Sequence, residues 1–137
     1  MTRKPADVRM MNKAVHYLGR YSSSRHKLAQ VLQRFADRKL ADYDPQDIRA
    51  ALEQTLDQCA KLGYIDDWQF AVTTARSQRR LGRSQAVIRQ RLRQHALDDE
   101  TIMQALAEAD EDSIDADLQA AIRFAQRRRL GPFANRT

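Results

Sequence analysis

A helical pattern occurs twice in this sequence, and the repetition is the strongest constraint on its fold. In each copy a serine is followed by three apolar residues at intervals of four, which places them on one face of a helix. The copies are Ser24, Leu28, Leu32 and Ala36, and Ser84, Ile88, Leu92 and Ala96. Repeats of this size are typical of units that bury their apolar faces against one another. We therefore predict an all-α fold of tandem three-helix repeats that form a short curved solenoid.

The apolar stripes divide the 137 residues into three repeats. We predict a first three-helix repeat at residues 1–64, a second at 65–110, and an incomplete third, containing only its first helix, at 111–137. This gives seven helices, with the sixth opening at Asp98 or Asp99 and the seventh spanning about residues 113–130. The seventh helix has an apolar stripe, and Phe124, which lies off that stripe, is expected to make the exposed end of this helix an interaction surface. That stripe contains Ile114, Leu118, Ala121, Ile122 and Ala125.

Local signals mark where the helices begin and end. Serine and aspartate accept hydrogen bonds from the unpaired amides of a first turn, so we expect helix caps at Ser24, at Ser84 and at acidic residues before three other helices. Glycine readily adopts the left-handed conformation that closes many helices. The expected acidic caps are Asp44, which precedes Pro45, then Asp66 or Asp67, and Asp98 or Asp99, and the closing glycines include Gly63 and Gly82.

The residues that could carry chemistry lack a catalytic arrangement. The single cysteine, Cys59, falls at a core position, and the three histidines show no metal-ligand spacing, so they are read as surface residues. Ser24 and Ser84 have no evident base, and the four glycines stand too far apart to form a phosphate loop. We therefore predict a protein that is not an enzyme, with no cofactor and no small-molecule substrate. The histidines are His16, His26 and His95.

The N-terminal residues lead into no apolar segment of the kind found in secretory signals, and no apolar run is long enough to span a membrane. On this basis we expect a cytoplasmic protein that does not act at membranes.

Charge alternates in bands along the chain. The net charge is +6 and the isoelectric point is near 9.9. By segment it is +8 for residues 1–41, −5 for 42–69, +7 for 70–97, −9 for 98–117 and +5 for 118–137. The first helix of each repeat carries basic residues opposite its predicted apolar stripe, so stacked repeats would form a cationic surface for an acidic partner. The predicted partner-binding residues are Arg9, Lys13, Arg20, Arg76, Arg79, Arg80, Arg83, Arg89, Arg93, Arg123 and Arg127.

Several stretches resemble the RecX family of recombination regulators. The most specific is residues 63–71, where Asp66 and Asp67 follow an aliphatic residue and precede Phe70 and Ala71, as at the junction of the family's first two repeats. Residues 14–28, 82–92 and 120–131 add to the likeness. The resemblance implies a protein that binds the recombinase RecA and its filament on DNA and modulates, most often inhibits, its recombinase, ATPase and co-protease activities.

Two other interpretations remain open. A helix, a short turn containing Gly82 and a helix rich in arginine resemble a helix-turn-helix that binds DNA directly. Gln85, Gln90 and Gln94 on the second of these helices could read base edges. The weaker alternative is an RNA-associated structural protein.

Overall fold

The computed structural model describes the backbone of residues 3–136 and the side chains of residues 3–111, 114 and 117–127. Within that range the chain consists of helices joined by short turns and contains no strand, which confirms the predicted all-α fold. The helices are α1 (Ala6–Leu18), α2 (Arg25–Lys39), α3 (Pro45–Lys61), α4 (Asp67–Arg80), α5 (Gln85–Arg93) and α6 (Asp99–Arg136).

Two separate cores correspond to two groups of three helices. The first contains residues of α1, α2 and α3 together with Leu40, Tyr43 and Ile65 from the connecting turns. The second is formed by α4, α5 and the first part of α6, and its fully buried side chains include Ile88 and Leu92. Each group thus buries its own apolar stripe. The division of the chain at residues 64/65 and 110/111 stays a prediction.

The predicted caps are present. Ser24 Oγ accepts a hydrogen bond from the Lys27 amide, Ser84 Oγ from the Val87 amide, and Asp44 from the Gln46 amide. Gly63 and Gly82 both have positive φ, at 77° and 82°. Side-chain caps therefore mark the starts of α2, α3 and α5, and a left-handed glycine follows the ends of α3 and α4.

Helix α6 differs from the expectation. The predicted sixth and seventh helices are one continuous helix of 38 residues, which also passes the predicted end near residue 130. Between residues 99 and 130 there is no glycine or proline, and Ser113 does not interrupt the backbone hydrogen bonds. The described side chains at residues 111–127 are all exposed, so this part of α6 projects beyond the second core.

The apolar periodicity predicts that the buried stripes of α3, α4 and α5 continue to Leu62, Leu81 and Ala96, but these residues are exposed. Leu62 and Leu81 occupy the positions just after α3 and α4, and they are 48% and 66% exposed. Ala96 follows the end of α5 with φ of 57°, and Leu97 takes the buried position instead. The apolar periodicity continues in the sequence past the point where each helix stops.

Candidate macromolecular interface

The two acidic residues at the junction of the repeats have different roles. Asp66 Oδ1 accepts a hydrogen bond of 3.0 Å from the Gln69 amide and caps its own helix, α4. Asp67 Oδ1 instead accepts one of 2.9 Å from the amide of Arg25, at the start of α2. A carboxylate at a helix N-terminus is stabilised by the amides and the helix dipole. Asp67 therefore links the second repeat to the first. The sequence had predicted only a cap of the local helix at this position.

His95 makes a second link between the repeats. Its Nδ1 lies 2.7 Å from Ser24 Oγ, and its ring lies 4.6 Å from the ring of Phe70, centroid to centroid. Burial lowers the pKa of His95, and the positive charges of His26 and Lys27 lower it further, while Asp67 opposes them. The neutral ring can then accept a hydrogen bond from the Ser24 hydroxyl. Reading His95 as a surface histidine was therefore wrong.

The expectation that Ser24 has no base nearby was also wrong, but the pair is not a catalytic arrangement. Ser24 is fully buried, and its Oγ already accepts the hydrogen bond from the Lys27 amide. A nucleophile must be reached by its substrate as well as paired with a base. Ser24 and His95 thus act as a contact between repeats.

The basic residues of α4 do not all lie opposite its buried face. The buried stripe consists of Ala71, Val72 and Ala75, and the positions that continue it are Arg76 and Arg79, both half-buried. Arg80 is exposed. The apolar pattern of α4 predicts a buried stripe of Phe70, Ala71, Thr74 and Leu81, with the three arginines on the opposite face. That placement of the arginines is wrong, because the buried stripe runs through Ala71, Val72 and Ala75 instead.

Arg79 is held inside the second repeat. Its Nε donates to Asp110 Oδ1 of α6 at 2.9 Å, and its Nη1 donates to the backbone carbonyl of Arg83 at 3.3 Å. Gln85, at the start of α5, donates to the other oxygen of Asp110. Asp110 therefore joins α4, α5 and α6 where they meet, and both Arg79 and Gln85 are engaged there.

A groove with a volume of about 740 Å³ lies between α4 and α5. Gly82 permits the left-handed turn, and Ser84 caps α5 so that one face of this helix lines the groove. Gln78 Oε1 is buried with no hydrogen-bond partner among the described groups. The lining combines amide, hydroxyl, imidazole and guanidinium groups with two small apolar side chains. The lining residues are Thr74, Gln78, Ala86, Val87, Gln90, Arg91, Gln94 and His95.

The other predicted partner-binding residues are spread over the molecule. The charged groups of Arg9 and Lys13 lie 5.7 Å and 5.9 Å from the centre of the Phe35 ring, so both side chains cover the first core. Arg93 pairs with Asp99 at 3.2 Å. The remaining residues divide into two groups by exposure. Arg83 and Arg89 are half-buried, whereas Arg20, Arg123 and Arg127 are exposed.

Neither a metal nor a membrane site is evident in the described part of the chain. No group of three or more histidine, cysteine, aspartate or glutamate side chains is placed there to hold a metal ion. Cys59 is buried in the first core, and burial raises the pKa of its thiol. Among these same residues no helix is both long and apolar enough to cross a bilayer.

Known proteins resemble the chain over most of its length. The family description "RecX, second three-helix domain" matches residues 66–106, which contain the groove. The Regulatory protein RecX of Myxococcus xanthus is 32% identical over 133 residues, which cover 96% of this chain and 70% of the relative. The chain belongs to the RecX family.

Two other relatives of this RecX-family chain carry the same name. Regulatory protein RecX of Agrobacterium fabrum is 30% identical over 89% of this chain and 63% of its own length. That of Shigella boydii is 32% identical over 81% of this chain and 67% of its own length. The chain thus spans between 63% and 70% of these curated relatives. No solved structure matches it.

Proposed function

We propose that this RecX-family chain is a regulator that binds RecA and the RecA filament on DNA, and that it lowers the recombinase, ATPase and co-protease activities of the filament. Membership of a family whose relatives are named regulatory proteins supports a regulatory role. The choice of RecA as the partner follows from the resemblance of the residues around Asp66 and Asp67 to the RecX family. The cytoplasm, where such a partner resides, is the proposed location.

One observation supports the second repeat as the binding element. Residues 70–97 contain seven arginines and no aspartate or glutamate, and they lie entirely within the segment that matches the family description. Arg80 and Arg91 are exposed there, and Arg91 lines the groove. Asp110 and Asp99 pair with two of the seven arginines, Arg79 and Arg93. The remaining excess of positive charge attracts an acidic surface and speeds association. We place the contact on the outer side of α4 and α5.

The test measures binding to a RecA filament assembled on single-stranded DNA. We expect Arg80→Glu combined with Arg91→Glu to weaken binding by about tenfold or more, mostly through a slower association rate at low salt. The control combines Arg34→Glu with Arg38→Glu, two exposed residues of α2 with the same change in charge. If both double variants weaken binding equally, net charge accounts for the effect and the proposed location is wrong.

Direct binding to DNA is the second candidate, and the groove is the observation that favours it. Gln90 and Gln94 line it beside Arg91, and amide side chains can bind bidentately to adenine in the major groove. Gln85 is engaged with Asp110, so two of the three predicted glutamines remain on this surface. Gln90→Ala with Gln94→Ala should then weaken binding to naked duplex DNA. Tighter binding to a naked duplex of defined sequence than to the RecA filament would favour this candidate over the first.

A further inference from the structure

The projecting part of α6 carries an apolar stripe that no described element covers. Ile114, Leu118, Ala121 and Ala125 follow one another at intervals of four, three and four, the spacing that faces a partner helix in a coiled coil. Ile114 and Leu118 are 65% and 55% exposed, and both alanines are exposed. A contiguous exposed stripe of this kind is typical of an interaction site.

The sizes of these side chains indicate how a second helix would lie. The two large residues come first along the helix and the two small ones follow. If a second copy of α6 lies antiparallel, each Ile114 packs against Ala125 of the other copy, and each Leu118 against Ala121. Every layer then combines one large and one small side chain, and the two helices keep an even separation. In a parallel pair, two layers would each combine two large side chains, and the other two layers would each combine two small ones.

The charges along α6 favour the same arrangement. Residues 98–117 have a net charge of −9, whereas residues 118–137 have +5. Among the described side chains, Glu111 and Asp117 lie on the acidic half and Arg123 and Arg127 on the basic half, and all four are exposed. An antiparallel pair sets the acidic half of one copy beside the basic half of the other, whereas a parallel pair sets like charges together.

We propose that this chain forms a homodimer through antiparallel pairing of α6 about a two-fold axis between Leu118 and Ala121. The contact is isologous, so it closes at two copies. The paired segment, residues 111–127, is about 25 Å long, and an interface of this size is small. We therefore expect a dissociation constant in the micromolar range, on the order of 10 μM. The dimer would present two copies of the groove between α4 and α5 to one extended partner.

The oligomeric state is measured by sedimentation equilibrium of the full chain over a range of concentrations around the expected dissociation constant. The parent should shift from the 15.8 kDa of one chain towards twice that mass as concentration rises. Leu118→Glu should raise the dissociation constant at least tenfold. The matched control is Met103→Glu, which puts the same charge on the same helix at a residue that is 62% exposed and outside the paired segment.

Circular dichroism of both variants checks that the helices remain intact. A parent that stays monomeric at every concentration would overturn the proposal, and so would equal loss of association in Leu118→Glu and Met103→Glu.

The orientation is tested with a spin label on Gln126→Cys, an exposed position. In the antiparallel dimer, residue 126 of one copy lies near residue 113 of the other, so the two labels are displaced by about 20 Å along the axis. In a parallel dimer they lie side by side. Cys59 is buried and its pKa is raised, so it should react poorly with the label. A short distance between the labels would contradict the antiparallel arrangement.

Discussion

The contact between Arg79 and Asp110 allows a quantitative test of whether Arg79 serves the fold of the second repeat. Unit charges about 4 Å apart interact by about 4 kcal/mol at an effective dielectric constant of about 20, before the cost of removing both groups from water. The side chains of Arg79 and Asp110 are 35% and 23% exposed, so solvent screens the pair only in part. We expect a net coupling energy of about 1 to 2 kcal/mol, in the range of hydrogen bonds to charged groups.

A double-mutant cycle isolates this coupling. Arg79→Gln, Asp110→Asn and the double variant are compared with the parent by urea unfolding. The full cycle is needed because each single variant also disturbs other contacts, such as the bond from Gln85 to Asp110. Arg93 and Asp99 provide the control pair, since their side chains are 56% and 74% exposed and such pairs contribute about 0.2 to 1 kcal/mol. A coupling energy for Arg79 and Asp110 no larger than that of the control would refute the reasoning.

Three further predictions concern the junction and the turns. Because the pKa of His95 is lowered from 6.5 in the folded chain, its contribution to the free energy of unfolding should be intact above about pH 6.5 and decrease as the pH falls towards the folded-state value. Urea midpoints at several pH values should show this loss in the parent and in His16→Gln, but not in His95→Gln. Asp67→Ala should speed amide hydrogen exchange at Arg25, whereas Asp66→Ala should speed it at Gln69, and each variant should lower the free energy of unfolding by about 1 kcal/mol. If both variants change exchange only within α4, the link between the repeats is contradicted. In thermal unfolding, Gly63→Ala should lower the free energy of unfolding by about 1 kcal/mol because of its positive φ alone, since a Cβ there would meet nothing within 4 Å. Gly19→Ala should lower it by less. Equal costs at the two glycines would refute that account.

The sequence by itself determined the local features of the fold. Ser24, Ser84, Asp44 and Asp66 act as caps because their oxygens reach amides only two or three residues away. Ile88 and Leu92 are buried because the interval of four places them on one helix face. The family resemblance at residues 63–71 likewise depended on neighbouring residues alone, and the relatives confirm it.

The tertiary structure decided which faces pack and which polar groups meet. Asp67 bonds to a residue 42 positions away and His95 to one 71 positions away, so no local pattern could pair them. On α4, the apolar pattern predicted a stripe of Phe70, Ala71, Thr74 and Leu81, but packing against α6 buries only Ala71 of these, together with Val72 and Ala75. Arg76 and Arg79 were therefore assigned to the wrong face, and the Arg79 side chain bonds to Asp110 of α6. Helix periodicity shows where apolar residues recur, but packing partners distant in the sequence determine which side of the helix is buried.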